Sequence, residues 1–230
     1  ASDVYKRQAY SIGMLVQLFI SGMNSALTPW MYSKIKKGDI RSMRKVLQLL
    51  SIVVVGIAVA LMLISPELVL IFGSPKYREA VYVIPPVAAS VFFIFIYNIL
   101  SMPQFYYEKT QFLMAASMAA AGANVVLNFI FIRLFGYIAA GYTTLACYML
   151  YSVGHYIVSK QILVNEGIQE NLMNPGFLLA CSVFLIGASI ICNLIFPYRI
   201  LRYAILLASA GLVFWKKELL LKTMADIRKK

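Results

Sequence analysis

FLMAASMAAAGANVVLNFIFIRL, residues 112–134, carries a single charge, Arg133, one position from its end. A helix rises about 1.5 Å per residue, so about 20 apolar residues cover a hydrocarbon core about 30 Å thick. Lipid offers the backbone no hydrogen-bond partners, so a segment of this length must close its bonds internally as a helix. The stretch therefore reads as a transmembrane span.

Working outward, comparable segments recur near 9–32, 46–65, 81–102, 138–160, 176–196 and 199–215. Pro, Gly and charge punctuate them in ISPE, GSPKYRE, SMPQ, RLFGY, NEGIQENLMNPG and FPYR. Seven spans make this an all-α integral membrane protein. Composition agrees: 61% of residues are hydrophobic and 13% charged, against roughly 45–50% and about 25% in soluble domains. A β-barrel would alternate apolar and polar residues over about ten positions, whereas these segments are apolar throughout. The three cysteines, Cys147, Cys181 and Cys192, lie inside spans and imply no disulfide framework.

Lys and Arg placement orients the chain. The connection SKIKKGDIRSMRK carries six basic residues, Lys34 to Lys45, and the C-terminal tail six more. With Lys109 and Lys160, one side holds fourteen, while Lys76, Arg78, Arg133, Arg199 and Arg202 give the other five. The heavier side, with the C-terminus, is expected to be cytoplasmic. The net charge of +12 thus reflects topology and anionic membrane lipid; no aromatic-basic module points to nucleic acid.

Polar residues inside spans are where function can show. Gln17, Ser21, Asn24 and Thr28 follow the spacing i, i+4, i+7, i+11, one stripe of a helix. Ser117, Ala121, Asn124 and Asn128 repeat that spacing, and so do Thr144, Tyr148, Tyr151 and His155. Amides and hydroxyls are costly against lipid tails, so the stripes should face other helices or a hydrated cavity. Both readings stand: interhelical hydrogen bonding, or the lining of a path for a polar substrate. Asn98, beside Tyr97, is a further cavity candidate, or a partner for backbone freed around Pro103. Ala119, Gly122 and Ala123 read as close-packing positions, Pro85-Pro86 as a helix start or kink, and Arg133 as a snorkelling interface residue.

His155 is the only histidine in the chain. It has no acidic neighbour in sequence and no companion ligands, so a packing role is expected rather than a metal or proton relay. All nine carboxylates fall outside the spans. No GxSxG, HExxH, Walker or Cys-His arrangement occurs, so neither an enzyme nor a cofactor is expected.

The run LVLIFGSPKYREAVYVIPPVAASVFFIFIYNI, and then QFYYEKTQFLMAASMAAAGANVVLNFIFIRLFGYIAAGYTTLACYMLYSVGHY, resembles the C-terminal half of bacterial polysaccharide flippases. These are the Wzx-like family of the multidrug/oligosaccharidyl-lipid/polysaccharide exporter superfamily. The resembling features are the GSPKYREA patch, Tyr107 to Thr110, the helix with Asn124 and Asn128 ending at Phe135-Gly136, and Ala139, Ala140 and Gly141 opening the next. The resemblance implies the later half of a two-lobe transporter of 14 helices in a bacterial cytoplasmic membrane, moving lipid-linked oligosaccharide by alternating access. Residues 9–160 would form most of the C-terminal lobe, as five helices, and 161–230 two additional helices and a basic tail. Any coupling ion would be served elsewhere. A drug or peptidoglycan-precursor exporter of that superfamily, or a membrane enzyme of glycan assembly, are the alternatives. The octet ASDVYKRQ, residues 1–8, resembles a translated sequencing adapter, which would put the native start of this portion near Ala9.

Overall fold

The computed structural model describes residues 20–72 and 81–215. The octet 1–8, Gln17, the whole GSPKYREA patch and the basic tail lie outside the described residues. Among the described residues there are eight helices and no strand. They are α1 (20–36), α2 (Ile40–Leu63), α3 (Ser65–Phe72), α4 (Ile84–Tyr106), α5 (Gln111–Phe135), α6 (Ala139–Asn165), α7 (Pro175–Ile195) and α8 (Arg199–Trp215).

The helix boundaries follow from local chemistry. Asp39 caps α2, its carboxylate accepting the Ser42 N–H at 3.3 Å and pairing with the Lys34 ammonium at 2.6 Å. The helix thus begins at Ile40 instead of the expected 46. It stops at Leu63 because Pro66 has no N–H for the Met62 carbonyl; the Ser65 hydroxyl takes that carbonyl at 2.8 Å. The short α3 follows, a break that the apolar run through 46–65 does not announce. Pro85 and Pro86 sit in the first turn of α4, where missing N–H groups cost nothing. Gly136, at φ +75°, closes α5 by donating its N–H to Ile132. Asn174 caps α7 on the Gly176 and Phe177 N–H groups, with Pro175 as the first helical residue.

Helix α4 is the hub. Phe92, Phe95, Ile96, Ile99 and Leu100 are fully buried, in one core with Met31 of α1 and Met43 and Leu47 of α2. In a bilayer such contacts hold helices through close packing, since lipid tails are as apolar as the side chains. Helix α6 packs most extensively on α4, α5 lies against α6, and α7 and α8 pack on α2. Four helices, α2, α4, α5 and α7, are long and apolar enough to cross a membrane. The 27-residue α6 has the length but carries more polar side chains, and α8 has 17 residues. Of the seven expected spans, the first is described only from residue 20, and four helices have the length and apolarity of a membrane crossing.

Ion pairs mark which ends of the bundle lie together. Arg44, at the start of α2, donates to the Asn171 carbonyl at 2.7 Å and pairs with Glu170 at 3.5 Å. Lys109 pairs with Glu166 at 2.8 Å. The α1–α2, α4–α5 and α6–α7 connections therefore share one end. At the other, Arg202 of α8 pairs with Glu67 of α3.

Candidate transport seam

Three helices supply the polar surface. Helices α4 and α6 run the same way: Gly141 lies against Pro86 and Val83 near one end, and His155 against Gln104 near the other. A Cβ on Gly141 would come within 2.8 Å of Pro86 Cγ and 2.9 Å of the Val83 carbonyl, so only glycine lets the helices approach this closely. By contrast, a Cβ at Gly122 would meet nothing within 4 Å. The expected close packing at Gly122 is corrected on that point: α5 has no buried residue, and this face has no neighbouring helix among the described residues.

The α5 stripe faces α6. The Ser117 and Tyr151 hydroxyls are 2.8 Å apart. Asn128 donates to the Asn124 carbonyl oxygen at 2.9 Å and accepts from the Thr143 hydroxyl at 2.5 Å. Thr143, not Thr144, therefore makes the cross-helix contact; Thr144 returns its hydroxyl to the Ala140 carbonyl at 2.8 Å.

The α6 stripe faces α4 and converges on Tyr97. This ring lies parallel to Tyr148, with centroids 6.2 Å apart, and contacts Tyr151 at 4.7 Å and His155 at 5.9 Å. Tyr151 and Phe112 both meet His155 edge-on, at 4.5 and 5.4 Å. His155 and Gln104 are fully buried, and the Gln104 amide donates to His155 Nδ1 at 2.8 Å. An amide nitrogen is only a donor, so Nδ1 accepts and the ring proton sits on Nε2. His155 Nε2, Gln104 Oε1 and the Ser159 hydroxyl have no hydrogen-bond partner among the described residues.

The other candidates are more local. Thr28 bonds the Asn24 carbonyl at 2.7 Å and contacts Met102 Sδ of α4 at 3.5 Å. Ser21 is exposed, and the Asn24 side-chain oxygen has no partner among the described residues. Asn98 spans one turn of its own helix to the Ile94 carbonyl at 2.7 Å. Arg133 lies 3.8 Å over the Phe129 ring. Ser21, Asn24 and Thr28 do not join the hydrogen-bonded contacts between α5 and α6, whereas Asn98 hydrogen-bonds the Tyr97 side chain beside it. Gln104 and Thr143 make cross-helix bonds, though neither stands out in the sequence: Gln104 reads as loop punctuation after Pro103, and Thr143 is one position off its stripe.

Toward the far end of α5 the seam opens into an apolar cleft of about 470 Å³. Leu127, Phe131 and Phe135 of α5 face Tyr142, Thr143 and Ala146 of α6 across it. Among the described residues, no group of His, Cys, Asp or Glu could hold a metal ion.

The MatE family matches residues 8–130, more than half of the chain. The chain belongs to the MatE family. MatE proteins are transporters of the multidrug and polysaccharide exporter superfamily, not enzymes. This is thus a multi-pass, all-helical membrane protein of a MatE exporter type. The match covers α1 to α4 and most of α5, including Asn124 and Asn128. Comparisons with curated proteins and with solved structures return no match.

Proposed function

We propose that this MatE chain is the C-terminal part of a flippase that moves undecaprenyl-diphosphate-linked oligosaccharide repeat units across a bacterial cytoplasmic membrane. The observation that carries the reading is the neutrality of the seam. Amides, hydroxyls and tyrosine rings meet along α4, α5 and α6, and every described carboxylate, Asp39, Glu67, Glu108, Glu166 and Glu170, lies at a helix end or in a connection.

A glycan presents hydroxyls and amides, which neutral donors and acceptors meet, and ring faces that lie on aromatic side chains. A cationic drug would favour a carboxylate among these helices. The seam therefore favours a sugar over a drug within the same superfamily. Residues 9–160 form most of the second lobe, 161–230 add two helices and a tail, and the basic ends face the cytoplasm. Movement is by rocking of one lobe against another about a shared site. The substrate's diphosphate seeks cations outside the seam.

The test is to change Asn124 and Asn128 together to Leu in the complete transporter and to measure surface glycan and protein abundance in one strain. Loss of glycan at unchanged abundance is expected. Unchanged export with unchanged abundance removes the seam from the substrate path.

A further inference from the structure

The outer side of α2 changes character along its length. Arg41, Lys45, Gln48, Ile52, Val55 and Val59 follow the spacing i, i+4, i+7, i+11, i+14, i+18, one stripe of the helix. Met43, Leu47 and Val54, on the other side, are buried in the core. Arg41, Lys45 and Ile52 are exposed, and Gln48, Val55 and Val59 are half-buried. Gly56, beside the stripe, is exposed, and a Cβ there would meet nothing within 4 Å. No other helix covers this surface among the described residues. Lys36 ends α1 and Lys37 enters a turn that Gly38 reverses at φ +68°, which brings both lysines next to the start of α2. The carboxylates at this end are committed to other cations: Asp39 to Lys34, Glu170 to Arg44 and Glu166 to Lys109. Lys36, Lys37, Arg41 and Lys45 are exposed and make no ion pair among the described residues.

We propose that this stripe holds an anionic phospholipid of the surrounding bilayer, its phosphate against the four cations and an acyl chain along Ile52, Val55 and Val59. Basic residues clustered at the membrane end of a helix attract anionic headgroups, and here the neighbouring acids do not cancel them. From Lys45 the stripe runs about 21 Å to Val59 at 1.5 Å per residue. That exceeds the ~15 Å of hydrocarbon in one leaflet, so headgroup and chain are both matched. A zwitterionic lipid fits the apolar part, but its own ammonium offsets its phosphate. An acidic protein meets the cations and leaves Ile52 and the valines without a partner. The C-terminal tail, with six basic residues to two acidic, is itself cationic and does not compete. The inference is independent of what the protein transports and of which leaflet faces this end.

The experiment uses the full chain in nanodiscs of equal parts phosphatidylglycerol and phosphatidylcholine. The photoreactive p-benzoylphenylalanine replaces either Ile52 or Val183, an exposed residue of α7, and the lipid adducts are identified by mass spectrometry. Position 52 should capture phosphatidylglycerol over phosphatidylcholine by about tenfold, while position 183 takes both alike. Changing Lys36, Lys37, Arg41 and Lys45 together to Gln should bring position 52 to the ratio seen at 183. Raising salt to about 1 M, where charges are screened within ~3 Å, should do the same without that change, so the test holds even if the quadruple variant fails to fold. Equal ratios at the two positions, or a preference that survives both neutralisation and salt, overturns the proposal. Free glycerol phosphate competing as well as phosphatidylglycerol would reduce the site to a headgroup contact and refute the acyl-chain assignment. Displacement by polyprenyl diphosphate at lower concentration than phosphatidylglycerol would assign the stripe to that lipid instead and likewise overturn the proposal.

Discussion

Arg202 and Glu67 stand 135 positions apart and meet through two parallel bonds, at 2.8 and 2.9 Å. Arg202 is 3% exposed and also donates to the Leu63 carbonyl at 2.7 Å, while the Tyr203 hydroxyl donates to the same carboxylate at 2.8 Å. One guanidinium thus ties α8 to both the last carbonyl of α2 and the first turn of α3. Removing its partner strands a buried charge. Glu67→Gln is expected to lower stability by on the order of 3 kcal/mol, read as a fall in the thermal midpoint of the detergent-solubilised protein. An unchanged midpoint would mean that water replaces the carboxylate.

The same pair sets a pH dependence. The Arg202 hydrogen bond holds the Glu67 carboxyl below its ordinary value of 4.5. A carboxyl depressed in the folded state contributes stability above its unfolded pKa and loses it as pH falls through the folded one. The thermal midpoint should therefore fall below about pH 4.5, and Glu67→Gln should flatten that part of the curve. A parallel fall in both proteins would assign the acid sensitivity elsewhere.

Gln104 and His155 form a buried pair whose loss should be asymmetric. Gln104→Leu leaves His155 Nδ1 without its donor, and a buried unsatisfied acceptor costs about 1–3 kcal/mol. Replacing both partners, as Gln104→Met with His155→Phe, keeps the volume beside Tyr97 and Phe112 and should recover most of that loss. Thermal melts of the two variants beside the parent protein decide the matter; a double variant worse than the single would point to a role for the ring beyond packing.

The two glycines should respond oppositely. Gly141→Ala forces Val83 and Pro86 apart and should cost about 1–3 kcal/mol by overpacking. Gly122→Ala meets open space and should be tolerated, with a gain of up to about 1 kcal/mol in helix propensity. Equal effects on expression and melting would refute the packing assigned to Gly141.

Sidedness can be read chemically. In a background without Cys147, Cys181 and Cys192, cysteines at Ser42 and Gln169 should behave alike toward an impermeant thiol reagent in intact cells, both protected. One at Tyr198 should react. Ser42 and Gln169 labelling differently would break the shared end marked by Arg44 and Glu170.

Much of this architecture is legible in the sequence because lipid enforces it: apolar length gives the helices, Pro85-Pro86 starts α4, and basic residues mark the ends. The rest depends on partners far along the chain. Nothing before Ser65-Pro66 says that α2 stops at Leu63, since apolar residues continue through the break. Thr143 and Thr144 differ by one position, a rotation of about 100°, and only the position of Asn128 selects between them. Gln104 has its partner 51 residues away, beyond the reach of any local pattern. The stripes marked polar positions of α5 and α6, but not that the α5 stripe is spent largely on α6 and that Tyr97 of α4 gathers the other.

The α7–α8 hairpin is fastened at both ends, through Arg44 with Glu170 and through Arg202 with Glu67. Sliding it along the bilayer normal past its neighbours would break the contacts at both ends. In a membrane thicker or thinner than its apolar span, the mismatch is then met by leaning of the whole bundle or by deformation of the surrounding lipid. The two clamps act as a fixed ruler, making the protein's tilt, rather than its internal register, the quantity that lipid composition adjusts.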